Sequence, residues 1–231
     1  MIYTRDILFR VVCNIRIPIG GGKESIGTGM FIGKGNDFYL LTASHVVAAH
    51  NAQTAVIFCD DSGRCNRMLL TEFTNTAWVH HPVADLAYIK IILTPTNQQH
   101  LNNRFFPYNQ INLQRQPISR DSELTSIGFP LGLGAVGSFS PLSFRTFVAS
   151  SFITLNRFDN HQPADFIILE NPSIGGYSGG PIFDLGYIIS GIMSQNTGDT
   201  ICHGFMHGTI SDETGGKLGA LTPAFYIDGW I

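Results

Sequence analysis

The stretch Gly176-Tyr177-Ser178-Gly179-Gly180-Pro181 decides how this chain is read. It sets one serine among glycines, inside a strand-and-turn sequence with no helical periodicity. Gly176 has no Cβ, so the backbone can turn sharply there and another group can come close. Gly179 and Gly180 let the chain leave again, and Pro181 opens the next strand, where a missing N–H is tolerated. Two earlier segments complete a set. Thr42-Ala43-Ser44-His45-Val46-Val47 places a histidine directly after an apolar strand, and Ala84-Asp85-Leu86-Ala87 places an acid directly before another. The order His, Asp, Ser is one of three in which unrelated folds assemble the same hydrolytic chemistry.

A serine hydroxyl is a poor nucleophile at neutral pH. It needs a base within hydrogen-bond reach, and that base needs a third group to fix its tautomer. His45 is the candidate base, Asp85 the orienter and Ser178 the nucleophile. The amides of Gly176 and Ser178, two residues apart, are the candidate donors for an oxyanion. Each signal alone is weak: a serine among glycines is commonly a turn, and a histidine after a strand is commonly structural. Their weight comes from occurring together, in order, each at a strand end.

The rest of the chain reads as all-β. Short apolar runs at 11–19, 30–32, 39–42, 56–59, 86–92, 166–169 and 187–193 are separated by turn residues. Gly20-Gly21-Gly22 and Asp61-Ser62-Gly63 are candidate hairpin turns. Only residues 44–51 suggest a short helical turn. Residues 94–120 are rich in Asn, Gln, Pro and Arg and read as the crossing between two halves. Residues 132–141, with glycines and serines, read as a loop near the cleft that gates substrate.

These motifs resemble those of the trypsin/chymotrypsin-like serine proteases, closest in pattern to bacterial HtrA (Deg)-type peptidase domains. The likeness rests on Gly27-Thr28-Gly29-Met30-Phe31-Ile32, Leu40-Leu41-Thr42-Ala43-Ser44-His45, Asp85-Leu86-Ala87-Tyr88-Ile89-Lys90, Gly128-Phe129-Pro130-Leu131-Gly132 and the serine motif. The resemblance implies two six-stranded antiparallel β-barrels with the active site in the cleft between them. It places an N-terminal barrel with His45 and Asp85 at residues 1–105, a linker at 106–120 and a C-terminal barrel with Ser178 at 121–231. It also implies that Gly191-Ile192-Met193-Ser194 and Thr222-Pro223-Ala224-Phe225-Tyr226 wall the specificity pocket. The pocket floor falls near Pro172 and Ser173, and Ser194 contacts Asp85 or the substrate backbone. The edge Ser194-Gln195-Asn196 is expected to pair with substrate as an added strand.

The sequence departs from the family at Tyr177, where an Asp or Asn is common, and at Ser44 and Val46 beside the histidine. No PDZ domain is expected after the barrels. Pro172 and Ser173 cannot neutralise a basic side chain, and Ala224 narrows the slot. The expected substrate is therefore a protein or peptide cut by a serine endopeptidase, through an acyl-enzyme, after a small or medium apolar residue. One methylene discriminates by only about 1–3 kcal/mol, so the preference is expected to be loose.

Composition sets the outer bounds. Apolar residues make up 44% of 231 and charged ones 13%, with 17 Phe to fill a core. A formal charge of −3 gives no reason to expect nucleic acid or an anionic membrane as partner. No signal peptide or spanning run is read, which points to the cytoplasm. Cys13, Cys59, Cys65 and Cys202 are too scattered for a disulfide framework. Cys59 and Cys65 can in principle bridge across Ser62-Gly63, but four reduced thiols is the simpler reading. Cys202-His203 with His207 is only a faint metal pattern, so no metal or cofactor is expected.

Two other readings stay open at this level. The first is a protease-like module that holds peptide without cutting it, or that waits for an activating or targeting protein. The second is an esterase of the α/β-hydrolase type, with Gly176-x-Ser178-x-Gly180 as elbow and Asp199 with His203 or His207 as partners. That fold needs alternating strands and helices, which the chain lacks.

Overall fold

The computed structural model describes residues 1–211 and 217–231. Strands form where apolar residues run or alternate between turns, and both expected hairpin turns close one. Gly20, Gly21 and Gly22 join β1 (Val12–Gly20) to β2 (Lys23–Lys34), and the Asp61-Ser62-Gly63 turn joins β4 (Ala55–Cys59) to β5 (Cys65–Leu69). With β3 (Asp37–Thr42), β6 (Val79–His80), β7 (Ala87–Ile91) and β8 (Phe106–Pro107), these make an eight-stranded sheet. Its order is β5-β4-β1-β2-β3-β7-β6, with β8 pairing parallel to β2.

The second half forms a seven-stranded sheet from β9 (Leu124–Gly128), β12 (Leu142–Thr146), β13 (Val148–Asn156), β14 (Pro163–Leu169), β15 (Pro181–Asp184), β18 (Ile201–Ser211) and β19 (Lys217–Pro223). Its order is β12-β9-β15-β18-β19-β14-β13. Two small hairpins stand apart: β10 (Ala135–Val136) with β11 (Ser138–Phe139), and β16 (Tyr187–Ser190) with β17 (Met193–Asn196).

The counts of eight and seven correct the expectation of six strands each. In the first sheet the surplus is β6 and β8, two-residue strands laid on six long ones. In the second, β12 and β13 are separated by Phe147 alone, yet they sit at opposite ends of the sheet order. One bent strand thus pairs with both edges and closes the sheet into a barrel. The protein has the two-barrel chymotrypsin-like architecture.

Each barrel has its own interior. Ile15, Phe31, Leu40, Phe58, Phe73 and Ile89 fill the first. Phe31 and Phe58 meet edge to face at 5.9 Å, a favourable aromatic geometry. Leu124, Ile167, Leu169, Ile182, Met206 and Leu221 fill the second, joined by Tyr177. A third cluster, including Leu41, Phe106, Ile127, Phe129, Phe183 and Phe205, packs residues of both halves together.

Three sequence expectations change. Residues 95–101 form helix α2 (Pro95–Leu101), which follows the single-turn α1 (Arg5–Phe9) in chain order. The polar composition hid it. Thr94 caps the Asn97 N–H, Asn97 Oδ1 accepts the Thr94 N–H, and Pro95 supplies a first helical residue that needs no donor. Residues 187–193 are not one strand, because Gly191 at φ 60° turns them into the β16–β17 hairpin. The glycine-rich segment 132–141 carries the β10–β11 hairpin and docks on the β4–β5 turn, with Cys65 N–H on Gly137 O and Phe139 N–H on Gly63 O. Among the described residues, no helix is long and apolar enough to cross a membrane.

Candidate active site

β3 ends at Thr42, and a single 3₁₀ turn, Ser44–Val47, carries His45 into the space between the barrels. Asp85 lies just before β7 and is completely buried. Its carboxylate grips His45 twice. Oδ1 accepts the His45 backbone N–H at 3.0 Å and Oδ2 meets the ring Nδ1 at 2.6 Å. With Nδ1 donating to the carboxylate, Nε2 is left as the acceptor.

Asp85 also holds a second imidazole. His207, on β18 and nearly buried, places its Nδ1 at 2.6 Å from the same Oδ2. Burial alone raises the Asp85 carboxyl, but the hydrogen bonds from His207 and His45 outweigh it and hold the group well below the usual carboxylate range. His45 Nδ1, Asp85 Oδ2 and His207 Nδ1 lie within 4.8 Å of one another, a geometry that could hold a cation. Two ring N–H donors on one carboxylate account for it without an ion.

Arg157 completes the surroundings of Asp85. It sits at the end of β13, is 3% exposed, and reaches from the second barrel into the first. Nη1 donates to the carbonyls of Val83 and Ala84 at 2.9 and 2.8 Å, and Nη2 lies 3.4 Å from Asp85 Oδ1. Asp159 takes the Arg157 Nε and Nη2 donors at 2.9 and 2.6 Å. Phe158, between them, lays its ring 4.7 Å from the His45 ring and 4.6 Å from the His207 ring.

Ser178 sits in the loop between β14 and β15. Gly179 N–H donates to Met206 O and Met206 N–H to Gly180 O, which fastens the loop to β18. Thr28 of β2 fastens it to the other barrel. Its N–H donates to Ser178 O at 2.9 Å, and its hydroxyl donates to Gly176 O at 2.8 Å while accepting the Phe129 N–H. Gly179 must be glycine at φ 82°, because a Cβ would fall 2.2 Å from Thr28 O. Tyr177 points into the second barrel, its hydroxyl within hydrogen-bond reach of Ser126 Oγ at 3.1 Å and Leu142 O at 3.3 Å. Burial pushes its phenol up, so a neutral group stands where the family commonly has an acid.

The Ser178 hydroxyl donates to the His207 carbonyl at 3.0 Å. His207 therefore links the set, with its main chain on the serine and its ring on the acid. Gly176 takes φ 94° and a Cβ there would meet Phe129 O at 2.6 Å. Leu131 N–H donates to Gly175 O, and in a trans peptide the Gly176 N–H points the opposite way. Among the described residues, neither the Gly176 nor the Ser178 N–H has an acceptor.

The residues expected around a specificity pocket are scattered. Ser194 lies exposed on β17 in the isolated hairpin, and His207 holds the contact to Asp85 expected of it. The hairpin carrying Gly191–Ser194 is separate from the strands around Ser178, because residues 201–211 supply the neighbouring strand instead. Ala224 borders a crevice with Asn112 and Gln114 of the crossing region and with His203 and Phe225. Pro172 borders a cavity of about 190 Å³ behind the serine loop, with Phe144, Ile174, Tyr177 and Met206. Ser173 is buried, and its carbonyl accepts the Thr209 hydroxyl at 2.8 Å. Thr209 follows His207 on β18, whose pairing with β15 ends at Phe205. Met206 and the His207 carbonyl then bond the serine loop, and from Gly208 onward β18 ladder-pairs with β19 alone among the described residues, leaving one edge free. A recess of about 300 Å³ opens next to it, bordered by Leu155, Phe158, Phe166, His207 and Ile210.

The esterase partners do not assemble. Asp199 binds the N-terminal ammonium group, and His203 meets Asn112. Sequence reasoning missed Thr28, Arg157, Phe158 and the real place of His207. Asn156-Arg157-Phe158-Asp159-Asn160-His161 matches none of the motifs singled out in the sequence, and only the tertiary fold buries its arginine.

The chain matches the trypsin-like peptidase domain family over residues 27–187. No curated protein matches it by sequence. Among solved structures it resembles the active form of the Rv3671c protease from M. tuberculosis, with a TM-score of 0.64 and 19% identity, over 97% of this chain and 81% of that one. It also resembles the MamO protease domain from Magnetospirillum magneticum, with a TM-score of 0.66 and 16% identity over 99% of both chains. A serine endoprotease from Yersinia pestis matches with a TM-score of 0.57 and 19% identity, over 96% of this chain and 63% of that one. At these identities the structural likeness is one of fold, and the family match over most of the chain is what assigns it: the protein belongs to the trypsin-like peptidase domain family.

Proposed function

We propose that the protein is a serine endopeptidase working through an acyl-enzyme. His45 is the base, Asp85 its orienter and Ser178 the nucleophile, with the Gly176 and Ser178 amides as oxyanion donors. The observation that carries this reading is the double grip of Asp85 on His45, which leaves Nε2 free to accept a proton. Before attack the Ser178 hydroxyl turns from the His207 carbonyl to Nε2. Unliganded sites commonly show such loose catalytic hydrogen bonds. The serine proton then passes to His45 and on to the leaving amine, while Asp85 stabilises the imidazolium. Each oxyanion donor is worth about 10²–10³-fold in rate.

The substrate is a protein or peptide that adds as a strand to the free edge of β18. No charged side chain occurs in Asn171-Pro172-Ser173-Ile174 or Gly208-Thr209-Ile210, which supports an uncharged residue before the scissile bond. Thr209, tied to the Ser173 carbonyl, limits it to a small or medium apolar one. The apolar recess under Phe158 takes a second substrate side chain. An activating or targeting partner has less support, since Leu131 already anchors the Gly175 carbonyl.

A fluorophosphonate probe tests the reading. Wild-type protein is expected to label, whereas Ser178→Ala and His45→Ala are not. Absence of labelling in a folded wild type would sink it and leave a module that holds peptide with its hydroxyl parked on His207. Peptide-library cleavage then checks the pocket, and preferred cleavage after Lys, Arg, Asp or Glu would contradict the uncharged reading.

A further inference from the structure

The β4–β5 hairpin sets two cysteines directly opposite each other. Cys59 ends β4, Cys65 opens β5, and they are direct cross-strand partners. The ladder bond next to them runs from Asp60 N–H to Arg64 O at 2.8 Å. The main-chain groups of the two cysteines turn elsewhere: Cys65 N–H donates to Gly137 O and Cys59 O accepts from Arg104 Nε. This is the pattern of a non-hydrogen-bonded antiparallel pair, in which facing Cα atoms come to about 4.5 Å. A disulfide spans roughly 4.4–6.8 Å between Cα atoms, so the register already meets its main requirement. Both thiols are free and point at carbonyls, Cys59 at Asp60 O and Cys65 at Gly134 O. Cys13 is fully buried in the first barrel's interior, and Cys202, fully buried in the same cluster as Cys59, pairs across the sheet with Phe183, so neither faces Cys59 or Cys65 across a ladder.

We propose that Cys59 and Cys65 form a dithiol site oxidised to an intramolecular disulfide by small disulfides of the glutathione disulfide class. The Cys65 thiolate, the more exposed of the two, attacks one glutathione sulfur. A mixed disulfide forms and one glutathione thiolate leaves. The Cys59 thiolate then attacks the Cys65 sulfur, closing the protein disulfide and releasing the second glutathione. Two protein thiols are oxidised, one glutathione disulfide is reduced to two thiols, and the two thiol protons end on them. Burial pushes both cysteines up, so thiolate is scarce at neutral pH and the exchange is slow. The bond would lock the turn that supplies Gly63 O and Cys65 N–H to the segment 132–141.

The test is to equilibrate the full chain without oxygen in glutathione buffers from fully reducing to fully oxidising. The reaction is then quenched with acid, free thiols are alkylated, and intact mass and a non-reducing digest are read. The expected result is loss of two of the four thiols, no added glutathione mass and a linked Cys59–Cys65 peptide. Cys65→Ser should give no such link. Four thiols surviving the oxidising buffer, a persistent glutathione adduct on Cys65, or a link to Cys13 or Cys202 would each overturn the proposal. A circular dichroism spectrum of each sample confirms that the folded state was tested.

Discussion

Single residues decide how charge is held in the cleft. Asp85 is an ionised group with no solvent exposure, tolerable only because His45, His207 and Arg157 surround it. His207 stands out because its ring acts on the acid while its carbonyl acts on the serine. Replacing it with alanine removes one hydrogen bond to a charged group, worth about 1.5–3 kcal/mol. Proteolytic turnover of His207→Ala should therefore fall roughly 10- to 100-fold with little change in KM. A steady-state comparison with wild type checks this, and unchanged kcat would remove His207 from the positioning set. The three candidate triad residues stand out in the sequence because each sits at a strand end inside a distinctive local motif. His207 does not, because its meaning depends on a carboxylate 122 residues away.

Elements add what single residues cannot. The β13–β14 hairpin is a strap whose Arg157 ties the second barrel to the loop bearing Asp85. Arg157→Met should cost about 3–5 kcal/mol in stability, since it leaves Asp85 and Asp159 without their guanidinium. Denaturant unfolding measures that loss, and a cost below 1 kcal/mol would mean the strap is held by other contacts. Helix α2 offers a second case. Asn97 is buried, bonds Thr94 N–H and donates to the Glu72 and Ile92 carbonyls. Asn97→Ala should destabilise by about 1–2 kcal/mol, again read from denaturant midpoints. Strands were readable from apolar runs between turns, and α2 was not, since a short helix held by capping shows no apolar period. The β16–β17 hairpin was misread because Ile192 and Met193 continue the apolar run of Tyr187-Ile188-Ile189 and Gly191 alone marks the turn.

At the scale of the molecule, three histidines and Asp85 act with one sign on stability in acid. Burial is the leading cause that lowers His80, His81 and His203, with Arg157 also acting on His80 and His81. The unfolded chain therefore binds more protons than the folded one just below the ordinary histidine value of about 6.5. Their contribution is complete above that value and is lost as the pH falls through the folded-state values. Asp85 adds a second loss of the same sign below about 3.9, the ordinary Asp value. Melting temperature should thus rise from pH 5 to pH 7 and fall steeply below pH 4. A flat profile from pH 5 to 7 would show that these imidazoles do not titrate differently in the two states.

The barrels also meet the ribosome in a fixed order. Base and acid emerge first, then the Arg157 strap, then Ser178, and only afterwards β18 with the His207 carbonyl and ring. Domains tend to fold as they leave the tunnel, N-terminal part first. A polypeptide cut short before β18 would therefore own a serine with no seat for its loop, since Gly179 N–H and Met206 N–H make that seat together. By the proposed mechanism, hydrolytic competence arrives almost with the last strand, so abortive translation products should be inert debris rather than stray scissors.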